Sequence, residues 1–171
     1  MGAPPADWVA LNTDGASKSN LGQAGGGGFF RGWRAEWMGG FAERMGVCSS
    51  VRAELRAILR GLRLAQEKGY RKLIVYVDSL VVAGMLKDNM LCSARHNTLV
   101  QQCRRILQLP DWEVKVNHCF RETNRVADAL ANLGIGLNCE FMYFNEPPSE
   151  VSSSLFADRV GAKYPRLIMD Q

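Results

Sequence analysis

No stretch of this sequence approaches the roughly 18 uninterrupted apolar residues that a membrane-spanning helix needs, so neither a membrane span nor a membrane partner is expected. No basic segment followed by an apolar one opens the chain, which argues against secretion, and Ala6 stands where a myristoylation signal wants Ser or Thr. The five cysteines (Cys48, Cys92, Cys103, Cys119, Cys139) are odd in number and lie far apart, with no C-x-x-C pair. A disulfide framework or a structural zinc site is therefore not expected, and reduced thiols fit an intracellular compartment, nuclear or cytoplasmic. The glycine run Gly25–Gly28 is not followed by G-K-[ST], which excludes a phosphate loop and leaves close packing at the start of a strand. What the chain does have is enough apolar material, 47% of 171 residues, to bury the core of one domain. Its charge of +4, from 21 Lys+Arg against 17 Asp+Glu, is compatible with a polyanionic partner without requiring one.

Residues 1–7 read as a leader. Trp8–Thr13 reads as a strand that runs at once into the turn-like Asp14-Gly15-Ala16-Ser17, and Phe29–Trp33 and Trp37–Met45 make two more. The Gly39-Gly40 pair marks a bulge in the third, and Phe29, Phe30, Trp33 and Trp37 are assigned to the core. The period then changes. Val51, Leu55, Ile58, Leu59 and Leu62 form one stripe of an amphipathic helix, capped by Ser49 or Ser50 and closed by Gly69. Leu73–Val77 is apolar on both faces and reads as a buried strand reached by a helical crossover, hence parallel to a neighbour. Leu80–Leu86 and Asn97–Leu109 read as helices, Trp112–Cys119 as a half-exposed strand, and a last helix starts near Asn124. Residues 138–171, broken by Pro147-Pro148-Ser149 and Ser152-Ser153-Ser154, read as a loosely ordered extension beyond a domain at 8–137. The fold class is α/β: a mixed sheet of five strands, three antiparallel ones first, with helices on both faces.

Four carboxylates fall at informative places. Asp14 follows the first strand and Asp78 the buried fourth, while Glu54 and Asp128 sit in the first turns of the long and last helices. If the first and fourth strands are neighbours, Asp14 and Asp78 emerge at the middle of the sheet and helices starting nearby bring Glu54 and Asp128 to the same point, where only cations could relieve their mutual repulsion. Hard oxygen ligands of this kind select Mg²⁺ or Mn²⁺, and a pair of such ions is a common apparatus for phosphodiester hydrolysis. Singly, each acid also has a bland reading, as a turn former or a complement to a helix dipole.

The surroundings of these acids are more specific. Asn12-Thr13-Asp14-Gly15-Ala16, Arg52-Ala53-Glu54-Leu55, Val75-Tyr76-Val77-Asp78-Ser79 and the stretch from His118 through Asn124 to Asp128 and Ala131 occur in one order along residues 8–135. In this the chain resembles the ribonuclease H family, in particular the ribonuclease H-like domains of plant non-LTR retroelement reverse transcriptases and their stand-alone relatives. The resemblance implies that Asp14, Glu54, Asp78 and Asp128 are metal-binding and catalytic, with Mg²⁺ (Mn²⁺ as a substitute) bound as two ions. It implies that His118 helps to move a proton or release product, whereas the other histidine, His96, reads as a surface residue. Gly15, Ala16, Ser49, Ser50, Ser79 and Asn124 would contact nucleic acid. The implied reaction is hydrolysis of the RNA strand of an RNA–DNA hybrid, leaving 5′-phosphate and 3′-hydroxyl ends, by a monomer that either stands alone or forms part of a reverse transcriptase polyprotein.

The sequence also departs from that pattern. Ser49, Ser50 and Val51 stand where amide side chains would grip the hybrid, and Leu80 replaces a polar residue after Asp78-Ser79. Met85–Pro110 offers only Lys87, Arg95, Arg104 and Arg105 in place of a Lys/Trp-rich basic protrusion. A catalytically attenuated nucleic-acid-binding domain and a protein-interaction module therefore remain open alternatives. The stripe Arg52, Arg56, Arg60, Arg63 reads either as a solvated helix face or as a contact to a nucleic-acid backbone.

Overall fold

The computed structural model describes residues 1–87 and 93–159. Of the segments read from sequence, residues 160–171 of the extension, Cys92, and residues 88–92 between the two middle helices lie outside these described residues. The chain runs β1 (Val9–Ser17), β2 (Leu21–Arg31), β3 (Trp37–Ser49), α1 (Ser50–Glu67), β4 (Lys72–Val77), α2 (Leu80–Lys87), α3 (Ala94–Leu107), β5 (Glu113–His118), α4 (Arg125–Ile135), β6 (Phe141–Phe144) and α5 (Ser152–Arg159). One mixed sheet has the order β5-β4-β1-β2-β3-β6. β1, β2 and β3 are successive antiparallel neighbours, whereas β4 lies parallel to both β1 and β5. The parallel core follows from the apolar run of β4, which is covered on both faces.

Ser49 caps α1 by accepting a bond from the Arg52 amide at 3.3 Å. Gly69, at φ +74°, ends it in the left-handed conformation that glycine adopts without strain. The apolar stripe of α1 packs with α2 and α3 on one face of the sheet, around Leu11, Phe30, Leu55, Leu62 and Val75. On the opposite face α4 and the chain after it bury Phe29, Val126, Leu130, Val151 and Leu155.

Four expectations change. The glycine run lies inside β2 rather than before it, because both faces of that strand meet helices at contact distance. A Cβ on Gly25 would lie 2.4 Å from the Ala131 oxygen of α4, and one on Gly26 would lie 3.1 Å from the Ala57 side chain of α1. Trp33 lies beyond β2 in the turn and is 49% exposed, with the Arg34 guanidinium over its ring, whereas Trp37 stacks on Phe29 at 5.4 Å. The arginine stripe turns partly inward. Arg60 binds the buried Glu43 of β3 at 3.0 Å and Arg56 approaches it at 3.8 Å, so these two serve the fold rather than a solvated face.

The sheet, lastly, has six strands rather than five. β6, within the stretch read as loosely ordered, pairs antiparallel with β3 from Gly40↔Phe144 to Glu43↔Phe141. The expected bulge at Gly39 is present, as a register shift with Gly39 at φ +122°. Leu155→Ala is expected to lower stability by about 2–4 kcal/mol, because it opens a cavity under α5. An unchanged urea midpoint would mean that α5 contributes nothing to that core.

Candidate active site

Parallel pairing of β1 with β4 stops at Asn12↔Tyr76, but β1 continues along β2 as far as Ser17↔Ala24. The two strands part at this point, and the fork is where the site lies. Asp14 is thus within β1, not after it, and Asp78 leaves β4 directly opposite. Glu54 sits just past the first turn of α1, so its reading as a first-turn dipole partner does not apply. It reaches the fork because Gly15 has no side chain: a Cβ there would stand 2.3 Å from the Glu54 nitrogen and 2.4 Å from the Ala53 carbonyl carbon. Gly15 is accordingly a packing residue that lets the start of α1 touch β1.

One carboxylate oxygen from each of Asp14, Glu54 and Asp78 lies within 4.8 Å of the others. Asp128, in the first turn of α4, stands at the rim and shares a hydrogen bond with the Asp14 carboxyl. The cleft above them measures about 490 Å³ and is walled by Gly15, Ala16, Ser17 and Ser50 along with the acids. Its mouth carries Arg121, Arg125 and Asn132, none of which the sequence reading singled out. A signal existed for two of them, since Arg125 and Asn132 fall three residues before and four after Asp128, on the same face of α4.

The other expected contacts take different positions. Ser49 is engaged as the α1 cap and does not wall the cleft. Ser79 caps the start of α2, accepting from the Val82 amide at 3.2 Å, and its hydroxyl bonds to Glu54. Asn124 is 1% exposed, so it is placed to position other groups rather than to touch nucleic acid. Its amide nitrogen donates to the Thr13 carbonyl at 3.0 Å and to Asp78 Oδ2 at 3.3 Å. His118 ends β5, half-buried, edge-on to Phe120 with ring centroids 5.6 Å apart, and lies outside the cleft wall.

The packing of like charges shows in proton affinity. Burial above all, then the charges of Asp78, Asp128 and Glu54, pushes the Asp14 carboxyl up to about 9. Burial and then Asp78 push Glu54 up to about 7, against the pull of the Ser79 hydroxyl and the Arg121 guanidinium. An all-oxygen donor set whose members resist losing their protons together is suited to a hard divalent cation, which would replace those protons.

A sheet of this order, with four acids at the central fork and helices on both faces, is the ribonuclease H fold. Solved structures agree. A type 1 ribonuclease H of the archaeon Halobacterium salinarum superposes with a TM-score of 0.70 at 25% identity, covering 75% of this chain and 97% of the other. A ribonuclease H isolated from compost, solved in complex with an RNA/DNA hybrid, gives 0.70 at 21% identity, covering 74% and 96%. The chain belongs to the reverse transcriptase-like family, whose model matches residues 12–134. It is also 40% identical over 166 residues to a provisionally named ribonuclease H protein of Arabidopsis thaliana. That match takes in 97% of this chain but only 27% of the longer relative. Among the described residues, no helix is long and apolar enough to cross a membrane.

Proposed function

We propose that the chain is a metal-dependent endonuclease that hydrolyses the RNA strand of RNA–DNA hybrids. The observation that carries this reading is the convergence of Asp14, Glu54 and Asp78 within 4.8 Å, with Asp128 at the rim of an open cleft. The hybrid bound by a structural relative and the name of the Arabidopsis relative support it. Asp14, Glu54 and Asp78, completed by Asp128, would hold Mg²⁺, with Mn²⁺ as a substitute. Two such ions, when bound, would supply Lewis acidity at the attacking water and at the leaving oxygen.

The chain's own groups do the rest. Ser79 hydrogen-bonds Glu54 and, with Arg121, favours its charged form against the stronger opposing effects of burial and Asp78. Arg121 and Arg125 give the mouth of the cleft a positive rim suited to phosphates, and Ala16, Ser17 and Ser50 line a wall that would face sugar 2′-hydroxyls. His118, one strand away from Asp78, is assigned the proton-transfer or product-release role. The 34-residue segment from 138 onward is proposed as an extension of the catalytic domain at 8–137, and the protein acts as a monomer or as one part of a reverse transcriptase polyprotein.

A second reading, a domain that binds hybrids but cleaves them poorly, draws on Leu80, which is 71% exposed beside Ser79, and on Val51, which packs toward the core. Both remove polar grip without touching the acids.

Incubation of a labelled hybrid with Mg²⁺, Mn²⁺ or EDTA, beside single-stranded RNA and duplex DNA, separates the two readings. Cutting confined to the RNA strand of the hybrid and abolished by EDTA is the expected result. Binding without cutting under either ion would replace the first reading with the second.

A further inference from the structure

Behind Asp78 runs a chain of buried polar side chains that the cleft does not use. Arg31 Nε donates to Asn12 Oδ1 at 3.2 Å, and Asn12 Nδ2 donates to Asn124 Oδ1 at 3.0 Å. Asn124 Nδ2 then donates to Asp78 Oδ2 at 3.3 Å and to the Thr13 carbonyl at 3.0 Å. Asn12 and Asn124 are each 1% exposed and Arg31 is 6% exposed. The rings of Phe29 and Tyr76 flank the guanidinium, each centroid 5.9 Å away, and the charge of Asp158 in α5 acts on it from beyond.

We infer that Arg31 and Asn12 are positioning residues that set the orientation of Asp78 through a one-way hydrogen-bond relay; this rests on the reading of Asp78 as a metal ligand. The direction is forced by chemistry. A guanidinium can only donate, whereas each asparagine amide can be turned either way. Arg31 therefore fixes the oxygen of Asn12 toward itself, which points the Asn12 nitrogen at Asn124, which in turn points the Asn124 nitrogen at Asp78. Reversed, the Asn124 oxygen would face both the Thr13 carbonyl and the Asp78 carboxylate, acceptor against acceptors in a buried site. The donor-only group at the far end excludes that arrangement. Hydrogen bonds behind a ligand carboxylate of this kind commonly govern metal affinity by about 10–100-fold.

Asn12→Asp tests the relay with little change of shape. The new carboxylate keeps its bond from Arg31 but cannot donate to Asn124, so the relay is cut in its middle. On the full chain, Mn²⁺ affinity measured by calorimetry is expected to fall about 10–100-fold, and the exchange protection of the Asn124 side-chain amide protons is expected to be lost. A second pair of variants decides the matter even if Asn12→Asp does not fold. Arg31→Lys, still donor-only, should stay within about threefold of wild type, while Arg31→Gln, which can also accept, should lose about tenfold. Equal affinities for Arg31→Lys and Arg31→Gln, or wild-type affinity in Asn12→Asp, would overturn the relay. The underlying reading fails separately: it falls if the wild-type chain binds no Mn²⁺, or if Asp78→Asn binds it as well as wild type.

Discussion

Asp14→Asn is expected to abolish hybrid cleavage while making the metal-free protein more stable. The loss of activity should reach roughly 10³-fold or more, as when one member of a catalytic set that acts as a unit is removed. The stability gain follows from the proton affinity of the buried acid. In the folded chain Asp14 holds its proton up to about 9, against an ordinary value of 3.8. The native state therefore binds more protons than the unfolded chain across the interval between those values, and stability falls as pH rises through it. The contribution is complete below the unfolded value and is lost progressively toward 9. Asparagine cannot ionise, so the penalty disappears. In EDTA at pH 8, Tm should rise by about 5–10 °C, corresponding to roughly 2–3 kcal/mol in a chain of this size. The wild-type protein should lose stability steeply up to pH 9 in EDTA and regain it when Mg²⁺ is added, whereas the variant should keep only the loss between about 4.5 and 7 that Glu54 contributes. A variant that melts at or below wild type across that range would show that the folded chain does not raise the proton affinity of Asp14.

Gly15→Ala should have the second-largest effect, although it adds only a methyl group to a residue with no reactive chemistry. The methyl carbon would stand 2.3 Å from the backbone nitrogen of Glu54, with no flexible side chain available to yield. The start of α1 must retreat by about 1 Å, a displacement that can cost on the order of 100-fold in rate when it moves a reacting group. Overpacking should cost a further ~1–3 kcal/mol in stability. Gly84→Ala is the matched control. Nothing lies within 4 Å of its Cβ, and it sits inside α2, so it should be neutral or stabilising by up to about 1 kcal/mol without affecting activity. If Gly15→Ala cleaved hybrids at the wild-type rate, the close approach of α1 to β1 would have no bearing on the chemistry.

The parts of this structure that were legible in the sequence are those with a strong local cause. The α1 stripe, its Ser49 cap and its Gly69 stop each carry their own signal, as does the doubly apolar β4. Asp78 after β4 and Asp128 in the first turn of α4 could be placed because those junctions were readable. Asp14 and Glu54 were placed near the right ends but in the wrong local setting, since β1 runs on to Ser17 along β2 and α1 starts at Ser50. What was not legible depends on partners distant in sequence. Gly25–Gly28 looks unlike a strand until the α4 and α1 groups against it are known, because glycine is depleted in strands for reasons that close helix contact overrides. The four residues of β6 are too few to show a period and are ordered by the edge of β3. Asn124 looks like a surface contact in a motif, and only the fold turns its amide inward to Asp78. Arg60, one of four similarly spaced arginines, is distinguished from Arg52 and Arg63 only by Glu43 on a strand that precedes the helix.

β6 also bears on how the domain behaves among its own copies. By pairing with Gly40–Glu43 it occupies hydrogen-bonding groups that β3 would otherwise present along an outer margin. An unpaired strand margin is a template for another chain. The four residues Phe141–Phe144 thus act as a cover against self-association. A fragment ending at Gly136 would retain every acid of the cleft, yet it would expose this margin beside the fully buried Phe41 and be prone to aggregate. The segment farthest from the chemistry would then determine how much active protein stays in solution.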